Sequence, residues 1–145
     1  MPLFSEYLAV CKRFGCVPFI ELKTPDVCRV LAAVRGAGFE EGGVVMSAIV
    51  QEWLLETRRR TKDVFIHWIF ADETRLKTFA REGNAGVSLN ISNAFSCPKE
   101  KIDAVHALGL KICLRAGDSA ADVKQMLALG LDYIPTNCMH LPLGR

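Results

Sequence analysis

The feature that most constrains this chain is an alternation: short apolar runs, nearly free of charge, are separated by segments with helical periodicity. Six runs read as strands: "VPFIELK" (17–23), "GVVMSA" (43–48), "DVFIHWIF" (63–70), "AGVSLN" (85–90), "LKICLRAG" (110–117) and "DYIPTN" (132–137). Each follows a predicted helix. Ser5 reads as the N-cap of the first helix, with Gly15 closing it; Thr24 and Pro25 read as N-cap and first residue of the second. Asp72 reads as a cap, Pro98 lies in a first turn, and Ser119 with Asp122 resembles a capping box. Strands that are apolar almost throughout, alternating with helices of about three turns, argue for a parallel sheet buried on both faces. Their centres recur roughly every 20 to 27 residues, close to the ~30 of a strand-helix unit. A closed barrel of eight such units takes about 250 residues, so 145 residues leave this chain about two units short. An open, doubly wound six-stranded sheet is the alternative. No G-x-G-x-x-G turn follows any strand and no P-loop occurs, which removes the commonest reason to expect a nucleotide-binding open sheet.

Charge and cysteine content narrow the function classes. A formal net charge of +2 and a pI near 8.2 are too mild for a nucleic-acid partner. The one basic run, Arg58-Arg59-Arg60, ends a predicted helix where cations oppose the macrodipole, and reads as solvated. The six cysteines form no C-x-x-C pair and mostly sit within apolar periodic segments, so they read as reduced core residues of a cytoplasmic protein. No run reaches the roughly 18 apolar residues of a membrane span.

The first strand is unusual. Strand side chains alternate, so Phe19, Glu21 and Lys23 share one side while Ile20 and Leu22 take the other. Two readings are open: Glu21 and Lys23 are an ion pair at a strand end, or they form the rim of an active site. His67, His106 and His140 read as structural, Trp68 as core, and Thr136 and Asn137 as strand-end residues serving loop backbone.

The stretch from 86 to 137 carries, in order, Ser88-Leu89-Asn90, His106-Ala107-Leu108-Gly109-Leu110, Asp118-Ser119, Leu129-Gly130-Leu131-Asp132 and Thr136-Asn137. Together with "IELK" and "VVMSA", this series resembles the glycerophosphodiester phosphodiesterase family: its Glu-x-Lys strand, the strand after it, and its C-terminal part. The resemblance covers most of the chain and implies one domain over 1–145: an α/β, TIM-barrel-like (β/α) fold, incomplete, with about six of eight parallel strands. It also implies a divalent-metal-dependent (Mg²⁺ or Ca²⁺) phosphodiesterase lineage acting on a glycerophosphodiester. Glu21 would then be a metal-ligating carboxylate and Lys23 would face the substrate phosphate. Both assignments suit a hard cation and a phosphodiester anion. Asn90 would line the mouth, and Arg115 would contact phosphate where the family usually has a tryptophan.

The chain departs from the family pattern in its chemistry. The family's His-Arg-Gly stretch, its Glu-x-Asp metal pair and its second histidine are absent from the 145 residues. The expectation is the C-terminal three quarters of such a barrel, inactive as this chain alone. The alternative is a non-catalytic relative that binds a phosphate-bearing ligand or a protein and completes its sheet by self-association through open edges.

Overall fold

A computed structural model of the chain describes residues 3–89, 97–114 and 119–137. It is built of two compact units, Met1–Trp68 and Ile69–Arg145. The strand and helix periods read from the sequence reappear as elements of both.

In the first unit, α1 (Phe4–Phe14) buries Leu8 and Cys11. It starts earlier than the expected cap at Ser5: Leu3 is the N-cap, and the Glu6 carboxylate accepts the Leu3 amide at 2.7 Å. Gly15 ends the helix with φ 64°, a left-handed conformation that glycine adopts without strain. β1 (Phe19–Glu21) leads to α2 (Val27–Gly36). Here the cap is Asp26, which accepts the Arg29 amide at 3.1 Å, while the Thr24 hydroxyl accepts the Asp26 amide at 3.3 Å. Thr24 thus shapes the turn and does not cap the helix. After a 3-10 turn, Glu41–Gly43, come β2 (Val45–Ala48), α3 (Gln51–Arg60) and β3 (Phe65–Ala71), whose last residues belong to the second unit.

In the second unit, Asp72 caps a 3-10 turn, Glu73–Arg75, that runs into α4 (Leu76–Ala80). Then follow β4 (Ala85–Leu89), α5 (Lys99–Ala107), β5 (Lys111–Cys113) and α6 (Ala120–Ala128). The Ser119 and Asp122 capping box is formed, each side chain accepting the other's amide at 3.1 Å.

The five strands make one sheet in the order β1-β2-β3-β4-β5, and the pairs β1–β2, β2–β3 and β4–β5 are parallel. Sequential order in a parallel sheet with helical crossovers is the (β/α) barrel arrangement, and it is not that of a doubly wound sheet, in which the order reverses. Ile20, Met46, Ile66 and Trp68 are buried on one side of the first three strands, with Leu31, Val34 and Leu54 of α2 and α3 also buried. Burying each such side chain stabilises the fold by roughly 1.5–3 kcal/mol.

The run expected as a sixth strand, 132–137, is not a strand in the described residues. Asp132 instead closes the outer edge of β5. Its amide donates to the Ile112 carbonyl at 3.0 Å, and its carboxylate accepts the Ile112 amide at 2.8 Å. One residue therefore satisfies both edge groups of Ile112, and Pro135 offers no amide to continue a ladder. β1 is treated similarly at the other edge: the Tyr7 hydroxyl accepts the Phe19 amide at 3.0 Å and donates to the Phe19 carbonyl at 3.4 Å.

Two readings of side chains are corrected. Arg58 is not solvated: it is 1% exposed and is the largest fully buried side chain among the described residues. Its Nη1 donates to the Thr61 carbonyl at 3.4 Å and the Lys62 carbonyl at 2.6 Å, tying down the chain that leaves α3. Arg59 and Arg60 do face solvent and pair with Glu56. Among the cysteines, Cys11, Cys97 and Cys113 are buried, whereas Cys16 and Cys28 are exposed. Cys138 lies outside the described residues. Among the described residues no helix is long and apolar enough to cross a membrane.

Candidate functional site

Glu21 is the last residue of β1, at the C-terminal end where parallel (β/α) sheets carry their sites. The strand alternation holds: Ile20 is buried while Phe19 and Glu21 are exposed. Lys23 lies two residues on, and its Nζ stands 2.5 Å from Glu21 Oε1. Their side chains are 73% and 39% exposed for Lys23 and Glu21. As a stability element, a pair this open contributes little, of the order of 0–1 kcal/mol. The pair leaves two opposite charges exposed at the strand end.

The register extends this position into a row. Glu21 is level with Ser47 on β2, and Ser47 with His67 on β3. Neighbours level in a sheet project to the same side, so carboxylate, hydroxyl and imidazole share a face of the first unit. Ser47 Oγ donates to the Ile20 carbonyl at 3.3 Å. His67 packs against the Phe19 ring, the ring centroids 5.7 Å apart. Trp68, one residue on, points to the opposite side, and its Nε1 donates to the Ile49 carbonyl at 3.0 Å.

Sequence reasoning missed Ser47 and Gln51. Ser47 was legible by the same period of two that picked out Glu21, carried across one strand. Gln51, in the first turn of α3, is buried, and its Oε1 has no hydrogen-bond partner among the described residues. No sequence signal marks that.

His67 is 2% exposed, and burial holds its imidazole down at about 4, below the ordinary 6.5. The folded chain keeps it neutral. Between pH 6.5 and about 4 the unfolded chain binds a proton that the folded chain refuses, so stability is full above the unfolded value and falls as pH drops. The loss should approach about 3 kcal/mol by the bottom of that window. Urea unfolding at stepped pH checks this. His67→Gln should flatten the slope between pH 6.5 and 4.5, and an unchanged slope in that variant would assign the acid sensitivity to other groups.

In the second unit the corresponding row pairs Ser88 with Cys113. The Ser88 hydroxyl accepts the Phe70 amide at 3.3 Å, which helps to hold Phe70 at φ 55°, an uncommon conformation for an aromatic residue. Burial pushes the Cys113 thiol up to about 12, so it is no nucleophile at neutral pH. His106 pairs with Asp132 across 2.9 Å, and it is the same carboxylate oxygen that takes the Ile112 amide. Burial raises the Asp132 carboxyl, but the Ile112 amide and His106 outweigh it and hold it below its ordinary range. His106 thus belongs to the closure of the β5 edge. Asn90, Arg115 and His140 lie outside the described residues, so the site is built here on Glu21 and Lys23.

Does this donor set fit the divalent metal that the resemblance implies? Among the described residues no group of three or more His, Cys, Asp or Glu side chains is placed to hold an ion. Glu21 is one carboxylate, and an ammonium already engages one of its oxygens. Six or more oxygens, several of them anionic, set the affinity of Mg²⁺ or Ca²⁺ sites. These residues by themselves do not fit a held metal.

No protein-family model matches the chain, and no curated protein does. Solved structures do. A Galdieria sulphuraria protein assigned as a glycerophosphodiester phosphodiesterase superposes with a TM-score of 0.76 at 22% identity, over 94% of this chain and 60% of its own. Two proteins assigned as glycerophosphoryl diester phosphodiesterases give similar matches. That from Agrobacterium tumefaciens has a TM-score of 0.74 at 16% identity, over 91% of this chain and 58% of its own. That from Silicibacter pomeroyi has a TM-score of 0.72 at 24% identity, over 93% of this chain and 52% of its own. The fold is that of the glycerophosphodiester phosphodiesterases. Sequential strand order agrees with that of a (β/α) barrel, and the incomplete sheet agrees with the extent of the match: this chain spans between about half and three fifths of the glycerophosphodiester phosphodiesterase structures it resembles.

Proposed function

We propose that this chain carries the phosphate-facing part of a glycerophosphodiester phosphodiesterase-type site. The observation that carries the reading is the position of Glu21 and Lys23: an exposed carboxylate and ammonium 2.5 Å apart at the C-terminal end of the first strand of a sequential parallel sheet. Lys23 supplies a flexible point charge for a phosphodiester oxygen. The family resemblance also offers Asn90 and Arg115 as substrate contacts; both lie outside the described residues. Glu21 would supply at most one oxygen to a divalent cation, Mg²⁺ or Ca²⁺, and the described residues alone do not hold one. The complete site hydrolyses a glycerophosphodiester to glycerol 3-phosphate and an alcohol; this chain alone binds the phosphate end. We place the protein in the cytoplasm, in keeping with six cysteines that form no C-x-x-C pair.

The close ion pair also suits a non-catalytic relative, in which Lys23 stays beside Glu21 and no metal is held. Binding and turnover separate the two readings. Titration of ¹⁵N-labelled protein with glycerophosphocholine is expected to shift the amides of Glu21, Lys23 and Ser47. Lys23→Ala should weaken binding by roughly tenfold or more, since a charge-assisted hydrogen bond contributes about 1.5–3 kcal/mol. Shifts confined to other regions, or a Lys23→Ala variant that binds as well as the parent, would sink the site assignment.

A further inference from the structure

The first helix carries a second feature that the phosphodiester site does not use. Leu3, Tyr7, Val10 and Phe14 follow one another at intervals of four, three and four residues, the spacing of alternating d and a positions in a heptad repeat. All four are large, apolar over most of their surface and exposed, between 39% and 66%. Leu8 and Cys11, which anchor the helix to its own unit, lie on a neighbouring face, so anchoring leaves this stripe uncovered. Phe4 stacks on Tyr7 with centroids 6.3 Å apart and widens the stripe. Scattered apolar residues on a surface need no explanation, but a seam at heptad spacing does.

The charges beside the seam indicate what covers it. With Tyr7 and Phe14 as a positions, Glu6 and Arg13 are the two g positions, one acidic and one basic, and both are exposed. In an antiparallel pair of identical helices, an a position lies opposite a partner d position, and g positions face g positions. Tyr7 then meets the partner's Val10, Leu3 meets the partner's Phe14, and Glu6 meets the partner's Arg13 twice over by symmetry. A parallel pairing brings g to e instead, where Phe4 and Cys11 offer no charge. Self-complementary charge across a two-fold axis is what an isologous interface requires. We infer that the α1 seam is a homodimer interface, two copies of this chain packing α1 against α1 in antiparallel fashion. The surface proposed for association is the helix; at the sheet edges Tyr7 and Asp132 already engage Phe19 and Ile112. The helix is only about 16 Å long, and the exposed seam with its flanking residues offers roughly 600 Å² per copy, below the ~800 Å² of a standard interface. The dimer should accordingly be weak, with a dissociation constant of the order of tens of micromolar.

Sedimentation velocity on the 145-residue chain between about 5 and about 300 μM spans that range. The expected result is a mass that rises from monomer to dimer, and a Val10→Glu variant that stays monomeric with an unchanged thermal melt. The charge arrangement allows a sharper test. Arg13→Glu leaves two acidic g positions and Glu6→Arg leaves two basic ones, so each variant alone should associate at least about tenfold more weakly, whereas their equimolar mixture should recover a heterodimer. Because Glu6 also caps α1, its variant is scored only after circular dichroism shows the helix retained. A chain that stays monomeric throughout overturns the inference, as does a dimer indifferent to Val10→Glu or a mixture that stays monomeric. A monomer that co-sediments with phosphatidylcholine vesicles in a Val10-dependent way also overturns it, and assigns the seam to a lipid surface. None of these results bears on phosphate binding at Lys23, which lies outside α1.

Discussion

The purified chain is expected to hydrolyse glycerophosphocholine no faster than a control containing only Mg²⁺ or Ca²⁺. Acid and base groups typically contribute about 10² to 10⁴-fold each to such a reaction, and a metal-activated water needs a held metal. Neither requirement is met by the residues in view. His67 shares a face with Glu21, but burial keeps it neutral down to about pH 4, so it has no proton to give a leaving alkoxide near neutrality. His106 is committed to Asp132 at the β5 edge. Glu21 is a single carboxylate with an ammonium against it. Losing acid, base and metal together should erase turnover rather than reduce it. The assay measures choline release with each cation, for the parent chain and for Glu21→Ala. Turnover in the parent that Glu21→Ala abolishes would show that a working metal site exists on this chain, and His67 would be the next residue to replace.

The largest stability effect is expected at Arg58. Truncating it to alanine removes the largest fully buried side chain and deprives the Thr61 and Lys62 carbonyls of their guanidinium donor. Cavity formation and unpaired carbonyls together should cost about 3–5 kcal/mol, a large share of the 5–15 kcal/mol that holds a domain folded. In a chain of this size that lowers the melting temperature by roughly 10–20 °C. Arg59→Ala and Arg60→Ala remove exposed partners of Glu56 and should each stay within about 0.5 kcal/mol of the parent. Thermal melts of the three variants compare neighbours of identical chemistry, and an Arg58→Ala melt that coincides with the other two would refute the burial argument.

The contrast within that triplet also shows what the sequence could and could not reveal. Strand-helix alternation was legible because the strand runs are apolar almost throughout, and no loop chemistry competed with that signal. Glu21 was legible through a period of two, and the burial of Ile20 between exposed Phe19 and Glu21 follows that period. Arg58 was not, because three consecutive arginines suggest a solvated helix end. Yet the helical period, followed through Gln51, Leu54 and Thr57 to Arg58, places it on the buried face. Composition outvoted periodicity, wrongly. The sixth strand failed for a different reason: "DYIPTN" has strand-forming residues, but an aspartate side chain satisfies the backbone that a ladder would otherwise use. Thr24 lost the cap to Asp26 in the same way, its hydroxyl already engaged by the Asp26 amide. Local hydrogen bonds from short polar side chains repeatedly decided what hydrophobic pattern alone left open.

The closure of β1 by Tyr7 bears on solubility. Ile20 spends its backbone groups on β2, so Phe19 and Glu21 turn theirs outward, and an outward edge is where sheets recruit further strands and grow into aggregates. At Phe19 one phenol occupies donor and acceptor together. At Glu21 the obstacle is charge, since an incoming strand must accommodate a carboxylate and its lysine at the position where it would dock. The pair proposed to receive a phosphate thereby also acts as a gatekeeper against runaway strand addition, and replacing it with apolar residues would trade a lost ligand for a sticky edge.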